Sequence, residues 1–265
     1  MRIAKWQALG NHFLTCEELP WPITPARARL LCDAALGLGA DGVLELTLGE
    51  DDVTVVVHNR DGSLAEVSGN GTRIAAAYAA ERLGSSELRV HTGAGTGEAS
   101  VLRDGRIAVR LGQATLAGPQ EDREAGDPGV AYRFVSLGNP HAVLTVADPD
   151  VFPLGDEGPR LEWHPRFPER TNVEAIAVVD LHRVRMRVWE RGVGETRACG
   201  SGACAAAVAA IVDGGCTSPV TVEMPGGSVE VGVDGELGLT LTGTAQRVYA
   251  ARLDDALLAQ LEQAA

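Results

Sequence analysis

The sequence predicts an α/β chain of the α+β type. It should form two pseudo-symmetric domains, each a mainly antiparallel sheet wrapped around a central helix, with the active site in the inter-domain cleft. Three observations carry this expectation. A spaced pair occurs twice: Asn59 and Ser68 stand nine positions apart, and so do Glu190 and Cys199. Arg follows each opening residue (Arg60, Arg191), and each closing residue leads through Gly into an Ala-rich stretch. Next, Leu9-Gly10-Asn11-His12 is echoed by Leu137-Gly138-Asn139-Pro140-His141, and Asp104-Gly105 by Asp234-Gly235, at an offset near 130 residues. A period of about half the 265-residue chain means two similar domains and not a solenoid. Finally, the two Ala-rich helices carry side chains small enough (Ala75, Ala76, Ala77, Ala79, Ala80; Ala205, Ala206, Ala207, Ala209, Ala210) for strands to close around them. Two halves of this size can each bury a core.

In order along the chain, Thr24-Pro25 caps a helix expected to run to Gly37, with N-cap, Pro at the first helical position and Gly past the end. Alternating segments around Val43–Leu46 and Val53–His58 lead to the turn Arg60-Asp61-Gly62-Ser63. A helix from about Gly71 to Leu83 stops at Gly84, and strands around Leu88–His91, Ala99–Leu102 and Ile107–Leu111 complete residues 1–117 as the first domain. Residues 118–130 are acidic, Gly- and Pro-containing and aperiodic, which reads as a linker. In the second domain, 131–265, strands are expected near Val135, Ala142–Val146, Ala175–Val179 and Val184–Trp189. A helix from about Gly202 to Val212 stops at Gly214-Gly215, and strands follow near Val220–Met224, Val229–Val233 and Leu237–Leu241. A last helix starts at Asp254, and this terminal segment is free to cross back onto the first domain.

A net charge of −13 argues against nucleic acid or an anionic membrane as partner. The five cysteines are odd in number and lack C-x-x-C spacing. With no signal peptide and no membrane-spanning apolar stretch, a soluble, cytoplasmic protein with free thiols is expected. The oligomeric state stays open, a homodimer included.

The two repeated corners suggest chemistry. A helix N-terminus carries unpaired N–H groups and partial positive charge, so it binds carboxylate. Gly69-Asn70 and Gly200-Ser201 could together hold one carboxylate and stabilise the charge that builds when the adjacent α-carbon loses its proton. Ser68 and Cys199 would then face opposite sides of that carbon. The same positive end lowers a thiol pKa, from about 8.5 toward roughly 3.5–7.5, so Cys199 is expected to be a thiolate base. Its alternative reading is a buried small hydrophobe.

These residues resemble the diaminopimelate epimerase family across essentially the whole chain. The resemblance rests on Leu9-Gly10-Asn11-His12-Phe13, Gly39-Ala40-Asp41-Gly42, Asn59 through Arg73, Gly138-Asn139-Pro140-His141, Arg170-Thr171-Asn172-Val173-Glu174, Glu190-Arg191 with Ala198 through Gly202, and Met224-Pro225-Gly226-Gly227. It implies an isomerase that inverts one α-carbon of LL-2,6-diaminopimelate to the meso form, with two cysteines as base and acid and with neither metal nor cofactor. It also implies the two-domain fold and a small-molecule amino-acid substrate. Carried over position by position, Cys199 matches the second catalytic cysteine, and His141 and Glu190 match residues that assist the catalytic pair. Gly69, Asn70, Gly200 and Ser201 match the carboxylate cradle; Asn11, Asn59, Asn139, Asn172, Glu190 and Arg191 match the substrate-binding groups.

Two positions depart from the family. His12 stands where Asp is usual, and Ser68 stands where the first catalytic cysteine belongs. A hydroxyl is a far weaker acid than a thiol and a poor base without an activating partner. An introduced change, a natural variant with altered chemistry, and a chain that has left epimerisation all stay open. Two other functions stay open with them: a dehydratase or racemase of another amino acid through the same α-carbanion, and a catalytically silent amino-acid-binding homologue. The remaining motif-like features read as structural. Gly93-Ala94-Gly95-Thr96-Gly97 opens into a strand and is not a phosphate loop. Cys204 packs on its helix; His58, His91, His164 and His182 are scattered; Glu66 and Glu195 sit in loops.

Overall fold

The computed structural model describes residues 2–65, 68–93, 95–117, 121–122 and 124–264. The chain divides into two compact units, Met1–Val109 with Gly243–Ala265, and Arg110–Thr242. Residues 110–117, expected to close the first domain, therefore group with the second unit, where Ala114 N–H donates to the Leu237 carbonyl and Thr115 bridges Ser136. Residues 243–265 group with the first unit. Of the expected linker, residues 118–120 and 123 lie outside the described residues, as do Glu66 and Ala94.

The first unit contains β1 (Arg2–Ala8), β2 (Asn11–Glu17), α1 (Pro25–Cys32), β3 (Gly42–Leu48), β4 (Asp52–Asn59), α2 (Gly69–Leu83), β5 (Glu87–Thr92) and β6 (Gly95–Val101), followed by β7 (Ile107–Gln113). The second contains β8 (Arg133–Ser136), β9 (Pro140–Thr145), α3 (Leu154–Glu162), β10 (Asn172–Asp180), β11 (Arg183–Glu190), β12 (Gly194–Thr196), α4 (Gly200–Val212), β13 (Val220–Met224), β14 (Gly227–Val233) and β15 (Gly238–Gly243). The pairing pattern repeats. β1–β2, β3–β4, β5–β6 and β6–β7 are antiparallel, while β2–β3 and β4–β5 are parallel. Likewise β8–β9, β10–β11, β13–β14 and β14–β15 are antiparallel, while β9–β10 and β11–β13 are parallel. Each parallel step crosses through a helix, because strands running the same way cannot be joined by a tight turn.

The central helices follow from their composition. α2 packs against β1 through β6, and α4 against β8, β9, β10, β11, β13 and β14. A helix enclosed on all sides shows no polar face, and Ala75, Ala76, Ala79, Ala205, Ala206 and Ala207 are all fully buried. Small side chains set the close helix–sheet distance, so enlarging one would overpack the core at a cost of about 1–3 kcal/mol. α2 ends where Gly84 takes the left-handed conformation at φ +71°.

β1, β2 and β12 were not foreseen as strands, and three further elements depart from the sequence expectation. α1 stops at Cys32 instead of Gly37, because the Asp33 carboxylate accepts the N–H groups of Ala35 and Leu36 and turns the chain away. α3 was not expected, since Gly155, Gly158 and Pro159 weaken its helical signal. Gly158 is required where α3 meets β11: a Cβ there would lie 2.6 Å from the Trp189 ring. Finally, β16 (Gln246–Arg252) pairs antiparallel with β1, from Arg2↔Arg252 to Gln7↔Gln246, and brings α5 (Asp255–Gln263) into the first unit.

Candidate active site

In the first unit, Ser68 is the N-cap of α2. Its backbone is extended (φ −142°, ψ 98°) and its Oγ accepts Gly71 N–H at 3.0 Å. The helix geometry leaves the Gly69 and Asn70 N–H groups without intrahelical acceptors. The side chain of Asn70 donates to Asn11 Oδ1 at 3.4 Å and accepts Arg73 Nη2 at 2.6 Å, and Arg73 is itself fully buried. Asn11 donates to Asp41 Oδ2 at 3.1 Å, and the His12 backbone N–H reaches the same oxygen at 2.7 Å. Asp41 thus ties two predicted positions together, a role not drawn from the sequence although its Gly39–Gly42 motif was. Asn59 stands apart from this network and donates to Ser63 Oγ.

The second unit repeats this corner with other chemistry. Cys199 is the N-cap of α4, again extended (φ −131°, ψ 120°). Its Sγ lies 3.4 Å from Gly202 N and 3.5 Å from Ser201 Oγ. The Gly200 and Ser201 N–H groups again lack intrahelical acceptors. A Cβ at Gly202 would lie 2.9 Å from Glu174 Oε1 and 3.4 Å from Cys199 Sγ, so this turn needs glycine. His141 Nδ1 meets Glu174 Oε1 at 2.7 Å, and its Nε2 meets Asn139 Oδ1 at 3.2 Å. Asn172 donates to the Pro140 carbonyl and accepts Arg191 N–H, so it fixes the start of the turn after β11. Arg191 also donates from Nη1 to the Glu169 carbonyl. Glu190 accepts the Thr196 hydroxyl. Beneath that turn, the buried Glu162 accepts Trp189 Nε1 at 2.7 Å and Gly192 N–H at 2.9 Å.

One sequence expectation is reversed. The helix N-terminus was expected to make Cys199 a thiolate, but burial pushes its thiol well above the ordinary value, with the Glu190 charge acting the same way. The hydrogen bonds from Ser201 and Gly202 act in the opposite direction and are outweighed. Cys199 therefore rests as a neutral thiol. Sequence reasoning also missed Glu174 as a site residue. It was visible as a single charge inside the apolar run Val173 to Val179 of β10.

The features read as structural fall outside this site. His58 pairs with Glu45, His91 with Thr96, and His182 with backbone carbonyls, while His164 accepts Arg166 N–H. All five cysteines are buried, and no disulfide forms among the described residues. Among the described residues no His, Cys, Asp and Glu group is arranged to hold a metal, and no helix is long and apolar enough to cross a membrane.

Comparison with known proteins places the chain in a family. The family model for diaminopimelate epimerase matches residues 3–117 and 133–248, one segment for each sequence repeat. The diaminopimelate epimerase of Pseudomonas fluorescens (strain Pf0-1) is 39% identical over 269 residues, covering 94% of this chain and 97% of its own length. That of Synechocystis is 38% identical over 276 residues, covering 96% and 99%. In fold, a predicted epimerase from Pseudomonas aeruginosa superposes with a TM-score of 0.71 at 17% identity, covering 95% of this chain and 98% of its own. The chain belongs to the diaminopimelate epimerase family.

Proposed function

We propose that this protein inverts one α-carbon of LL-2,6-diaminopimelate to give the meso form, by removing and returning a proton without a cofactor, a step in forming lysine and cell-wall precursors. The observation that carries the reading is a thiol at the N-cap of a buried helix, in a chain that aligns over nearly its full length with relatives of that name. The N–H groups of Gly69, Asn70, Gly200 and Ser201 are the proposed cradle for the reacting carboxylate, where partial positive charge stabilises the carbanion as it forms. Asn11, Asn59, Asn139, Asn172, Glu190 and Arg191 are the proposed substrate-binding groups. Arg191 suits a second carboxylate because a guanidinium pairs with it bidentately.

Cys199 and Ser68 are the proposed proton-handling groups for opposite faces of the α-carbon, with His141 and Glu190 assisting. Since Cys199 rests as a thiol, it must give up its proton before it can act as a base. Glu190 is the proposed acceptor: taking that proton neutralises the charge that otherwise opposes the thiolate. Ser68 is the weaker partner by its chemistry. Five free cysteines fit a reducing, cytoplasmic setting. The homodimer expectation is answered by sedimentation of the pure protein.

Calorimetry with LL- and meso-diaminopimelate, run beside a turnover assay, tests the reading. Binding with turnover is expected. Binding without turnover would make the chain a silent member of its family, and no binding of either isomer would remove diaminopimelate as substrate.

A further inference from the structure

The repeat allows the two units to be compared position by position. β2 aligns with β9 and β3 with β10, with Phe13↔Gly42 register in the first and His141↔Asn172 in the second. Phe13 and Leu44 thereby occupy the positions of His141 and Glu174. The first turns of the central helices confirm the equivalence. A Cβ at Gly71, the third residue of α2, would lie 3.2 Å from Leu44 Cδ2, and a Cβ at Gly202, the third residue of α4, would lie 2.9 Å from Glu174 Oε1. Phe13, Leu44, His141 and Glu174 are all buried. The fold therefore builds this place once from two hydrocarbons and once from an acid and an imidazole, so the polar pair is not needed to make the corner.

Retaining such a pair is costly, because an apolar replacement of similar volume is often neutral or stabilising. Among the described residues Glu174 Oε2 also has no hydrogen-bond partner, which in a buried carboxylate is a further penalty. The protons resolve part of that cost. With Asn139 Oδ1 as acceptor, His141 Nε2 carries a hydrogen, and one further proton lies between Nδ1 and Glu174 Oε1. Whichever atom holds it, the pair is electrically neutral. The titratable groups facing Glu174 are His141 from β9, Glu190 from β11 and Cys199 at the start of α4. Burial raises the Glu174 carboxyl, which favours the proton on the acid and leaves Oε2 as an uncharged oxygen.

We propose that Glu174 is a positioning residue: the proton it shares with His141 Nδ1 keeps His141 Nε2–H aimed at Asn139 and keeps the pair neutral beside Cys199. This rests on the proposed epimerase reaction only for its kinetic consequence. Glu174→Gln preserves shape but lets the amide either donate to or accept from Nδ1, so the tautomer is no longer set.

Long-range proton–nitrogen NMR of the imidazole rings reads this directly, with His141 assigned by the loss of its signals in His141→Phe. The hydrogen should sit on Nε2 in the unaltered chain and the tautomer should become mixed in Glu174→Gln, with kcat for diaminopimelate falling on the order of 10²-fold and KM little changed. His141→Phe/Glu174→Leu, which copies the first unit, should fold and be inactive. An unaltered His141 signal and kcat in Glu174→Gln would overturn the proposal. So would unfolding of the double variant with Glu174→Gln unchanged, since the pair would then be structural. Absence of turnover in the natural chain would instead count against the epimerase reading, and the NMR result would still judge the pair.

Discussion

Ser68 and Cys199 sit at the same point of the same local fold. Both are extended N-caps, both accept the N–H of the third helical residue, and both precede an Ala-rich helix enclosed by strands. What surrounds them differs. Ser68 is half-buried above Leu44, with Asn59 at the end of its strand; Cys199 is buried above Glu174 and His141, with Glu190 in the Asn59 position. The backbone was duplicated and the chemistry was not. A helix N-terminus alone does not make a reactive thiol: at Cys199, burial and the Glu190 charge outweigh it. Reactivity here depends on who can take the proton.

The largest effect that would test this contrast is removal of the thiol. Cys199→Ala should reduce turnover of diaminopimelate by at least the roughly 10²–10⁴-fold of a positioned acid or base, while the circular dichroism spectrum is retained. Residual turnover within tenfold of the natural chain would shift the chemistry to the Ser68 corner. A smaller effect is expected at the proposed distal end of the substrate. Arg191→Ala removes a charged hydrogen bond of about 1.5–3 kcal/mol, which weakens the calorimetric dissociation constant about 10- to 150-fold. An unchanged constant would point to a substrate with no second carboxylate.

Smaller still is the electrostatic effect on the thiol. Its raised pKa keeps Cys199 protonated at neutral pH, so iodoacetamide should label it slowly there and faster as pH rises past the ordinary thiol range. Glu190 is a like charge opposing the thiolate, so Glu190→Gln should move the labelling midpoint to lower pH. Mass-spectrometric mapping separates Cys199 from Cys32, whose own thiol is raised to about 11 by burial. Rapid labelling of Cys199 at neutral pH in the natural chain would restore the thiolate reading.

Much of this was legible in the residues. The repeat, both central helices and the polar residues of each corner follow from spacing, caps and side-chain size, which are local properties. What could not be read depends on distant chain. β16 finds its partner at the opposite end of the sequence: the terminal segment was free to cross back onto the first domain, but nothing nearby marks residues 246–252 as a strand pairing with β1. α3 contains glycine because a tryptophan ring of β11 presses on it, and that pressure is invisible until the strand is in place. Cys199 was misjudged for the same reason: its cap position is local, but its burial comes from the whole unit. Glu174 was visible only as a charge in an apolar strand, and became informative once Leu44 was found in its place in the other unit.

The central claim is that two matched corners carry unmatched proton chemistry, and α-hydrogen exchange in heavy water tests it most directly. With one competent thiol, Cys199 should exchange the α-hydrogen on the face it serves faster than the carbon inverts, because completing inversion requires a proton from Ser68, whose alkoxide is costly to leave behind. Proton NMR of LL- and meso-diaminopimelate incubated separately with the protein should show one isomer exchanging readily and the other scarcely. Ser68→Cys should make the two rates comparable and raise epimerisation by about 10²–10⁴-fold. Equal exchange from both isomers in the natural chain, with no gain from Ser68→Cys, would contradict the account.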